Sequence, residues 1–510
     1  MKSAPLLLLL SLLIFGCKAG KDAKSSMGDG QIDLIILQLN DTYEIAGVER
    51  GTVGGMARIA TLRKQLEAEN PNTLFVHAGD FLYPSLIGTM KYEGESIKGR
   101  QMVECMNACE VDVVAFGNHE FDLKEAELQK RLNESAFDWI GTNVLHKMAD
   151  GTKSFHKKKE GQEEHCPAYW YWTPKDQDGT QVNIGFFSAC INSNPKDYVV
   201  YQDHTERVQQ SMKQLRKDSD IILGLTHLEI NQDTVLARQF QEVPLIMGGH
   251  DHDNMLYEIG KTRVTKADAN ARTVYVHRLH YDKRSKQLDI RSTLVKIDQF
   301  IMEDPAVKQI VEKWTGIADE SFRKEGFDPY KVVARVDTPL DGRESSIRNQ
   351  PTNLGEMVAR AMGAAAKQPV DAAIVNGGSF RVDDQLLGEI TEYDIIRTMP
   401  YGGKILEVDL KGSLLKAVLD EGWANKGKGG FLQWDKVRRN YREKWEVNGE
   451  LIDEGKNYHI ALNDYLLLGL DIKILTRANP GIIKITEPQA NQPTDLRNDI
   501  RQAVIKYLAG

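Results

Sequence analysis

The chain has few of the residues that build small cross-linked proteins, and it lacks a long apolar stretch beyond its first residues. Only 5 cysteines and 16 prolines occur in 510 residues, which excludes a disulfide-dense miniature or a proline-rich disordered protein. No later apolar run approaches the roughly 18 residues of a membrane-spanning helix. No long basic stripe occurs and the net charge is −8, which argues against binding to a nucleic acid polymer. At roughly 150 residues per domain, the length predicts two or three globular domains.

The first residues have the layout of a secretory signal. Lys2 precedes an apolar run over residues 6–15, and Gly16 stands before Cys17. This arrangement resembles the lipobox of bacterial lipoproteins, in which the cysteine is lipidated. It implies a lipoprotein signal peptide over residues 1–16 and a chain anchored to a membrane through Cys17, outside the cytoplasm at the periplasmic face or the cell surface. The alternative is a plain signal peptide with an accidental cysteine. Residues 17–31, rich in Lys, Gly, Ser and Asp, are expected to form a flexible tether.

The remaining cysteines leave two interpretations open. Cys105 and Cys109 lie four residues apart in a helical pattern, which favours buried thiols. In an exported protein, disulfides are the alternative for Cys105, Cys109, Cys166 and Cys190.

Short β-rich segments alternate with helical patterns from residue 32 onward, which predicts an α/β fold with layered sheets. The expected strands of the first half are residues 34–39, 73–76, 111–116, 182–187, 221–225 and 243–247, with helices over 57–69 and 124–132. Residues 143–180 carry charges and the aromatic run 169–172. We expect them to form a solvated loop and a short hairpin insertion that packs on the domain surface, with a ligand platform as the alternative.

The pattern changes after Asp298. Asp304 and Pro305 are typical of an N-cap and the first position of a helix, and apolar residues then recur at helical spacing. We therefore expect a first domain over 32–298, a connecting helix within 299–330 and a second α/β domain over 331–510. The second domain is expected to contain strands over 372–375, 405–410 and 458–461 and helices over 354–366 and 413–419.

Polar clusters follow five of the predicted strands in the first half. Ligands of open α/β sheets bind outside the carboxyl ends of the strands, so we expect these clusters to converge. They are Asn40-Asp41, Gly79-Asp80, Gly117-Asn118-His119-Glu120, Thr226-His227 and Gly248-Gly249-His250-Asp251-His252. Mixed carboxylate, amide and imidazole donors suit divalent transition metals, and a bridging carboxylate indicates two ions about 3.5–4 Å apart. Such ions activate water and stabilise in-line displacement at phosphorus, with His119 supplying a proton or positive charge and Asp122 orienting it.

Together with Gly54-Gly55-Met56-Ala57-Arg58, these motifs resemble those of the calcineurin-like metallophosphoesterases, and both halves of the chain resemble the two-domain 5'-nucleotidase family. The resemblance implies a four-layer α/β-β/α sandwich for the first domain. It also implies a ligand set for two divalent metal ions: Asp41, Asp80 and His252 for the first, and the bridging Asp80 with Asn118, His227 and His250 for the second. His119 and Asp122 would be the catalytic pair. Zn, Mn, Fe and Co ions all accept such ligands, so the metal identity stays open.

One expected ligand of the first ion is missing. The first motif of the family normally reads Asp, any residue, His, whereas this chain has Asp41-Thr42-Tyr43-Glu44. A neutral phenol with a pKa of about 10 is a poor ligand at neutral pH. The first site is therefore expected to be weak unless Glu44 or water substitutes, and loss of activity is an alternative.

Motifs of the second half follow the order found in the C-terminal domain of the same family. They are Arg348 with Thr352-Asn353-Leu354-Gly355, Asn376-Gly377-Gly378-Ser379-Phe380-Arg381, Met399-Pro400-Tyr401-Gly402-Gly403 and Gly430-Phe431-Leu432-Gln433. Arg348 and Arg381 offer planar guanidinium groups for phosphate. By resemblance, Tyr401 and Tyr465 sandwich a nucleobase, Asp471 binds the ribose hydroxyls and Asn376 contacts the base edge. Domain packing is the alternative for Tyr401. Leu470 replaces the second of two usual glycines, which leaves the shape of the base pocket open.

The sequence thus predicts a membrane-anchored phosphoesterase that hydrolyses nucleoside 5'-phosphates by attack of metal-bound hydroxide, for nucleotide salvage outside the cytoplasm. Alternatives with the same fold are a 2',3'-cyclic-nucleotide phosphodiesterase, a UDP-sugar hydrolase and a sulfur-ester hydrolase. An alternative of another class is a non-catalytic nucleotide-binding surface lipoprotein. Exact substrate, membrane leaflet and oligomeric state are not determined by these residues.

Overall fold

The structure, a computed structural model, describes residues 28–193, 195–489, 492 and 494–510. The expected signal peptide, Cys17 and residues 17–27 of the expected tether lie outside this part of the chain. The end of the tether segment is attached to the first domain, since the main-chain nitrogen of Asp29 donates to Asp178 at 2.6 Å and the first strand begins at Gln31. Within the described ranges, no helix combines the length and the apolar character needed to cross a bilayer.

Two sheets of six strands form the centre of the first domain among the described residues. In spatial order, the first sheet consists of Gln287–Lys296, Thr273–Asp282, Gln31–Leu39, Thr73–His77, Val113–Ala115 and Asp138–Ile140. The second consists of Tyr169–Trp172, Ile184–Cys190, Ile221–His227, Leu245–Gly248, Thr262–Lys266 and Met255–Ile259. The central strands of each sheet are parallel, so their carboxyl ends lie at one edge.

Helices cover the outer face of each sheet. Met56–Glu69, Arg100–Ala108 and Glu125–Glu134 lie on the side of the first sheet, and His204–Asp218 and Ile230–Gln239 lie against the second. The first strand shows the reason for this layering: Ile32, Leu34 and Ile36 pack against the second sheet, whereas Ile35 and Leu37 pack towards the helices. Successive side chains of a strand point to opposite faces, so a strand covered on both faces is apolar throughout. The four-layer α/β-β/α sandwich is confirmed.

The segment between the two sheets is more regular than expected. It contains a small sheet of Val199–Tyr201, Val144–Met148 and Gly151–Lys153, and a hairpin of His156–Lys159 and Gln162–His165. The prediction that the aromatic run belongs to a surface insertion is wrong, because Tyr169–Trp172 forms an edge strand of the second sheet. Trp170 and Trp172 pack against the core between the sheets. Four aromatic residues in succession lack the polar alternation by which a half-buried strand is recognised.

All four cysteines of the described residues are free and buried. The interpretation of Cys105, Cys109, Cys166 and Cys190 as buried thiols is therefore confirmed.

The helix Pro305–Lys324 follows the first domain. Asp304 caps it by accepting hydrogen bonds from two main-chain nitrogens of the first turn, each at 3.1 Å. Its buried residues Val307, Trp314, Ala318 and Phe322 belong to one apolar cluster that also contains residues of both domains. The helix therefore packs both domains together and is not a loose linker.

The second domain is also an α/β unit, which confirms the expected fold class. Its five-stranded sheet has the order Leu432–Asp435, Ala372–Asn376, Asn457–Asn463, Ile405–Lys411 and Ile482–Thr486. Its longer helices are Asn353–Ala365, Glu392–Thr398, Gly412–Ala424 and Ile500–Ala509. Val332–Asp341 pairs with Gln385–Thr391, and a smaller sheet consists of Val437–Arg439, Trp445–Val447 and Glu450–Leu451. Shorter elements within the described ranges are the pair of strands Lys91–Tyr92 and Glu95–Ser96. The helical turns there are Val48–Gly51, Ile87–Thr89, His119–Asp122, Glu344–Ile347, Gly377–Ser379, Asp464–Leu467 and Leu496–Asn498.

Candidate active site

The six predicted metal ligands all lie at the carboxyl ends of central strands. Asp41 follows Gln31–Leu39, Asp80 follows Thr73–His77, Asn118 follows Val113–Ala115, His227 ends Ile221–His227, and His250 and His252 follow Leu245–Gly248. The first four are buried and the last two are half-buried. Parallel strands of two facing sheets end on the same side, so residues far apart in sequence meet there.

Four of these residues have a left-handed backbone. The φ angle is 48° at Asp41, 61° at Asp80, 84° at His250 and 63° at His252. Non-glycine residues in such conformations cost of order 1–3 kcal/mol each and are concentrated at functional sites. The fold thus maintains local strain at the positions from which the predicted ligands project.

Glycines allow two of the ligand loops to approach each other. Gly79 has a φ of 88°, and a Cβ atom there would lie 2.5 Å from the main-chain nitrogen of Gly117. A Cβ atom at Gly117 would lie 2.1 Å from Oδ1 of Asp80. Glycine is therefore a steric requirement at both positions.

The donor atoms form two neighbouring groups. Ligand atoms of Asp80, His227 and His250 lie within 4.8 Å of one another, and Nε2 of His227 is 2.9 Å from Oδ2 of Asp80. In the other group, Nε2 of His252 lies 3.3 Å from Oδ1 of Asp41. The Tyr43 hydroxyl links the groups, because it is 3.0 Å from Nε2 of His252 and 3.5 Å from Oδ2 of Asp80. Asp80 thus occupies the position of a shared carboxylate.

The two best-placed histidines are oriented in the manner of metal ligands. Nδ1 of His227 donates to the Ala78 carbonyl at 2.8 Å, and Nδ1 of His252 donates to the Asp383 carbonyl at 2.9 Å. Both Nε2 atoms therefore face the site, as is usual for histidines that bind metal. Nε2 of His227 and Oδ1 of Asp41 are buried and make no hydrogen bond of good geometry, so that only ion-pair contacts within the site compensate their burial. The residues present fit divalent cations.

Glu120 positions the two loops that carry Asp80 and Asn118. Its carboxylate accepts hydrogen bonds from the main-chain nitrogens of Asp80, Phe81 and Gly117, each at 2.8 Å, and of Leu82 at 3.1 Å. Burial, together with the charge of Asp80, raises the pKa of Glu120 to about 7. The main-chain nitrogen of His119 donates to Oδ1 of Asp80 at 2.7 Å, which fixes Asn118 beside that carboxylate. Sequence analysis quoted Glu120 within a motif but did not give it this role.

The predicted catalytic pair is assembled. Nδ1 of His119 lies 2.8 Å from Oδ2 of Asp122. Burial opposes ionisation of Asp122, but the hydrogen bond and charge of His119 outweigh it and lower the Asp122 pKa to about 2. Burial likewise disfavours protonation of His119, but Asp80 and Glu344 raise its pKa well above the ordinary value. A protonated imidazole at this position is suited to donate a proton or to stabilise negative charge.

Charges of the predicted ligands are strongly coupled. Burial opposes each charged form, yet Asp80 and Asp41 raise the pKa of His227 to about 9, and Asp383 and Asp41 raise that of His252 to about 10. The same histidines lower the pKa of buried Asp41. By contrast, burial and the neighbouring His227 lower the pKa of His250 well below its ordinary value.

Tyr43 stands where the family motif predicts a histidine, and its side chain is 2% exposed. Burial, followed by the Asp80 charge, raises the pKa of Tyr43 well above 10, so the phenol stays neutral in this arrangement. The expected substitute Glu44 does not face the site, since its carboxylate accepts a hydrogen bond from the Tyr393 hydroxyl at 2.8 Å. The structure therefore contradicts Glu44 as the missing ligand, because this contact directs it to the second domain.

The second domain places the guanidinium of Arg381 close enough to act on Asp122 of the catalytic pair, and tyrosine side chains lie beside it. The guanidinium carbon of Arg381 lies 5.9 Å from the ring centres of both Tyr401 and Tyr83, and the hydroxyls of the two tyrosines are hydrogen-bonded. Tyr401 is 59% exposed and Tyr465 is 38% exposed, so both keep ring surface accessible to a ligand. Tyr83, from the first domain, was not predicted; its only sequence signal is its position three residues after Asp80.

Three further residues were predicted to bind the substrate: Asn376, Asp471 and Arg348. All three side chains are paired with other side chains of the second domain. Nδ2 of Asn376 donates to Oδ2 of Asp471 at 2.7 Å, so these two side chains are adjacent. Arg348 is buried and its guanidinium pairs with Glu344 at 2.5 Å. One nitrogen of its guanidinium is thus engaged by a carboxylate four residues earlier in the chain.

Two acidic residues of the second domain reach the catalytic pair, and sequence analysis missed both. Oε2 of Glu344 lies 3.7 Å and Oδ2 of Asp383 lies 3.6 Å from Nε2 of His119. The position of Asp383 two residues after Arg381 does not indicate that its carboxylate lies near His119, because this contact depends on how the two domains pack.

Comparisons with known proteins agree with this geometry. Residues 34–254 match the family model of calcineurin-like phosphoesterases, and residues 332–476 match that of the 5'-nucleotidase C-terminal domain. The trifunctional nucleotide phosphoesterase protein YfkN of Bacillus subtilis is 27% identical over 504 residues, which cover 89% of this chain and 33% of that protein. The chain thus spans about a third of the length of this relative. The 5'-nucleotidase of Homo sapiens is 25% identical over 420 residues, covering 75% of this chain and 69% of that protein.

A solved structure has a similar fold. The 5'-nucleotidase precursor from Thermus thermophilus has a TM-score of 0.67 and 21% identity, with 94% of this chain and 96% of that chain covered. This likeness shows that both domains share the fold. Since the two family models match one after the other on a single chain, the protein belongs to the 5'-nucleotidase family of calcineurin-like phosphoesterases and is a phosphoric ester hydrolase.

Proposed function

We propose that this protein hydrolyses nucleoside 5'-monophosphates outside the cytoplasm, and that it releases a nucleoside and inorganic phosphate for salvage. The observation that carries this proposal is the position of Arg381. Its guanidinium carbon lies 5.9 Å from the ring centres of both Tyr83 and Tyr401, and its charge also acts on Asp122 of the catalytic pair. The tyrosine rings, the guanidinium and the catalytic pair thus follow one another in space. A molecule with an aromatic base at one end and a phosphate at the other matches this arrangement.

The chain's own residues have distinct tasks in this reaction. Tyr401 and Tyr465 provide exposed aromatic surface for the base, and stacking on such surfaces contributes roughly 1–3 kcal/mol per base. Asp471 and Asn376 provide hydrogen-bonding groups for the ribose and the base edge. Arg381 attracts the phosphate, and protonated His119, held by Asp122, stabilises negative charge or protonates the leaving oxygen.

The donor set supports two divalent cations, with Asp80 shared between them. Asp41 and His252 would hold one, and Asn118, His227 and His250 the other. When bound, such ions lower the pKa of a coordinated water to roughly 7 and neutralise charge on phosphoryl oxygens. Glu120 and the main-chain carbonyls of Ala78 and Asp383 keep the donors oriented.

The proposed location depends on the N-terminal segment. Residues 1–16 and Cys17 have the layout of a lipoprotein signal, which supports a mature chain anchored by lipid outside the cytoplasm. Metabolic labelling with a tritiated fatty acid tests this, with Cys17→Ser as the control. Label retained by Cys17→Ser would contradict the anchor.

A substrate panel tests the proposed activity. The chain from residue 18 onward, supplied with Mn²⁺ or Zn²⁺, is expected to release phosphate from AMP faster than it hydrolyses 2',3'-cyclic AMP or a UDP-sugar. Asn118→Ala should lose this activity while retaining the fold. Binding of AMP without turnover in every metal would instead support the non-catalytic alternative, and preference for the cyclic ester would support a phosphodiesterase.

A further inference from the structure

The second domain meets the proposed metal centre at Asp383. This residue is 6% exposed, and it projects from the segment between the 3₁₀ turn Gly377–Ser379 and the strand Gln385–Thr391. Its carbonyl oxygen accepts from Nδ1 of His252 at 2.9 Å. A residue of the second domain therefore fixes the orientation of a predicted ligand in the first domain.

The Asp383 carboxylate points towards the predicted ligand His252 and towards the Tyr43 hydroxyl. Its Oδ2 lies 3.4 Å from Nε2 of His252 and 3.5 Å from the Tyr43 hydroxyl. That hydroxyl is itself 3.5 Å from Oδ2 of Asp80. Ligand atoms about 2.1 Å from a tetrahedral ion lie roughly 3.4 Å from one another, so these separations match donors of one cation.

The other carboxylate oxygen of Asp383 is fixed by the second domain. Oδ1 accepts from the main-chain nitrogen of Glu344 at 2.7 Å, which leaves Oδ2 directed at the first domain. The next residue, Asp384, forms an ion pair with Arg272 of the first domain at 3.1 Å. The loop is therefore held against the site by contacts on both sides of the carboxylate.

The first metal position lacks one expected ligand, and Asp383 lies on the side of the site where that ligand is missing. Tyr43 lies there beside His252, at the position where the family motif has a histidine, and Glu44 is turned away to Tyr393. Among the described residues, Asp383 is the carboxylate of the second domain that reaches His252. Its Oδ2 also lies 3.6 Å from Nε2 of His119, whereas Glu344 pairs with His119 and Arg348.

We infer that Asp383 is a ligand of the cation held by Asp41 and His252, so that the first metal site is built from both domains and is complete only when they are closed on each other. The inference rests on the proposed metal-dependent function. It adds a carboxylate ligand from the second domain, and it makes retention of one ion dependent on domain closure.

Direct measurement of bound ions tests this inference. The chain from residue 18 onward is dialysed against a Mn²⁺ series, and bound metal is counted by elemental analysis. We expect two ions for the unaltered chain. In Asp383→Asn, one ion should remain with unchanged affinity, and the other should bind roughly tenfold more weakly or worse, since even loss of supporting groups costs about 10–100-fold in affinity.

Asp384→Asn is the matched control, because it removes an ion pair between the domains from the neighbouring position without changing the proposed ligand. It should bind both ions as the unaltered chain does. The double variant Tyr43→His with Asp383→Asn, which restores a nitrogen donor to the first motif, should regain the second ion. This regain would show that a ligand was lost and not merely a domain contact.

Three results would overturn the inference: two ions bound with unchanged affinity by Asp383→Asn, an equal loss in Asp384→Asn, or no regain in a folded double variant. The first of these with a raised KM for AMP would show that Asp383 only borders the phosphate position. If the unaltered chain bound no divalent ion at all, the proposed function would fail as well, so the two failures are distinguishable.

Discussion

Nδ1 of His119 is hydrogen-bonded to Oδ2 of Asp122 at 2.8 Å within a single 3₁₀ turn. The turn begins directly after the predicted ligand Asn118, and the other imidazole nitrogen faces Glu344 and Asp383 of the second domain. One short segment thus places a proton donor between the proposed metal centre and the proposed substrate cleft.

His119→Asn is expected to lower kcat for AMP by roughly 10²–10⁴, the usual contribution of a general acid or charge-stabilising group. Asp122→Asn should lower it less, because the imidazole stays in place but loses the carboxylate that favours its protonation. Both variants should bind metal as the unaltered chain does. A kcat unchanged in His119→Asn would exclude this pair as catalytic.

Metal affinity should rise with pH between about 6 and 9. The pKa of His227 is raised to about 9 and that of His252 to about 10 by carboxylates that outweigh burial. Each ring therefore retains a proton at neutral pH when no cation is bound, and a cation must displace it. Calorimetric titration with Mn²⁺ in buffers of different ionisation enthalpy gives the number of protons released per bound ion. This number should fall as the pH of the experiment is raised towards the pKa of His227, about 9. Affinity independent of pH would contradict this account.

Tyr401→Ala should raise KM for AMP by about 5- to 150-fold with little effect on kcat, because stacking contributes roughly 1–3 kcal/mol per base. Tyr441→Ala is the control, since that ring is 86% exposed and lies near the small sheet of the second domain. A KM unchanged by Tyr401→Ala would favour domain packing as the role of that tyrosine.

Asp304→Ala should destabilise the chain by about 1 kcal/mol, because the capped helix Pro305–Lys324 loses its side-chain acceptor. Asp304→Asn keeps an N-cap acceptor and removes only the ion pair with Lys64, whose side chain is 58% exposed. The Asp304 side chain is itself only 8% exposed, so removing its charge should lower the urea midpoint, but by less than removing the cap acceptor does. Equal losses in both variants would show that the charge, and not the cap, matters.

Local patterns in the sequence predicted much of the fold. The strand that begins at Gln31 is apolar on both faces because it lies between two layers, and the cap at Asp304 marks the start of the connecting helix. The aromatic run Tyr169–Trp172 was misplaced because it carries no alternation that separates a buried face from an exposed one.

The sequence by itself specified the chemical types of the donors and their position after strands, because parallel strands bring their carboxyl ends to one edge wherever they lie in the chain. The hydrogen bond between the side chains of His119 and Asp122 could also be predicted from the sequence, since the two residues belong to one tight turn. Only the tertiary structure decided that Glu44 turns away to Tyr393 and that Asp383 faces His252. These contacts depend on the packing of the second domain against the first, and Asp383 and His252 are 131 residues apart in the chain. No local periodicity encodes a contact over that separation.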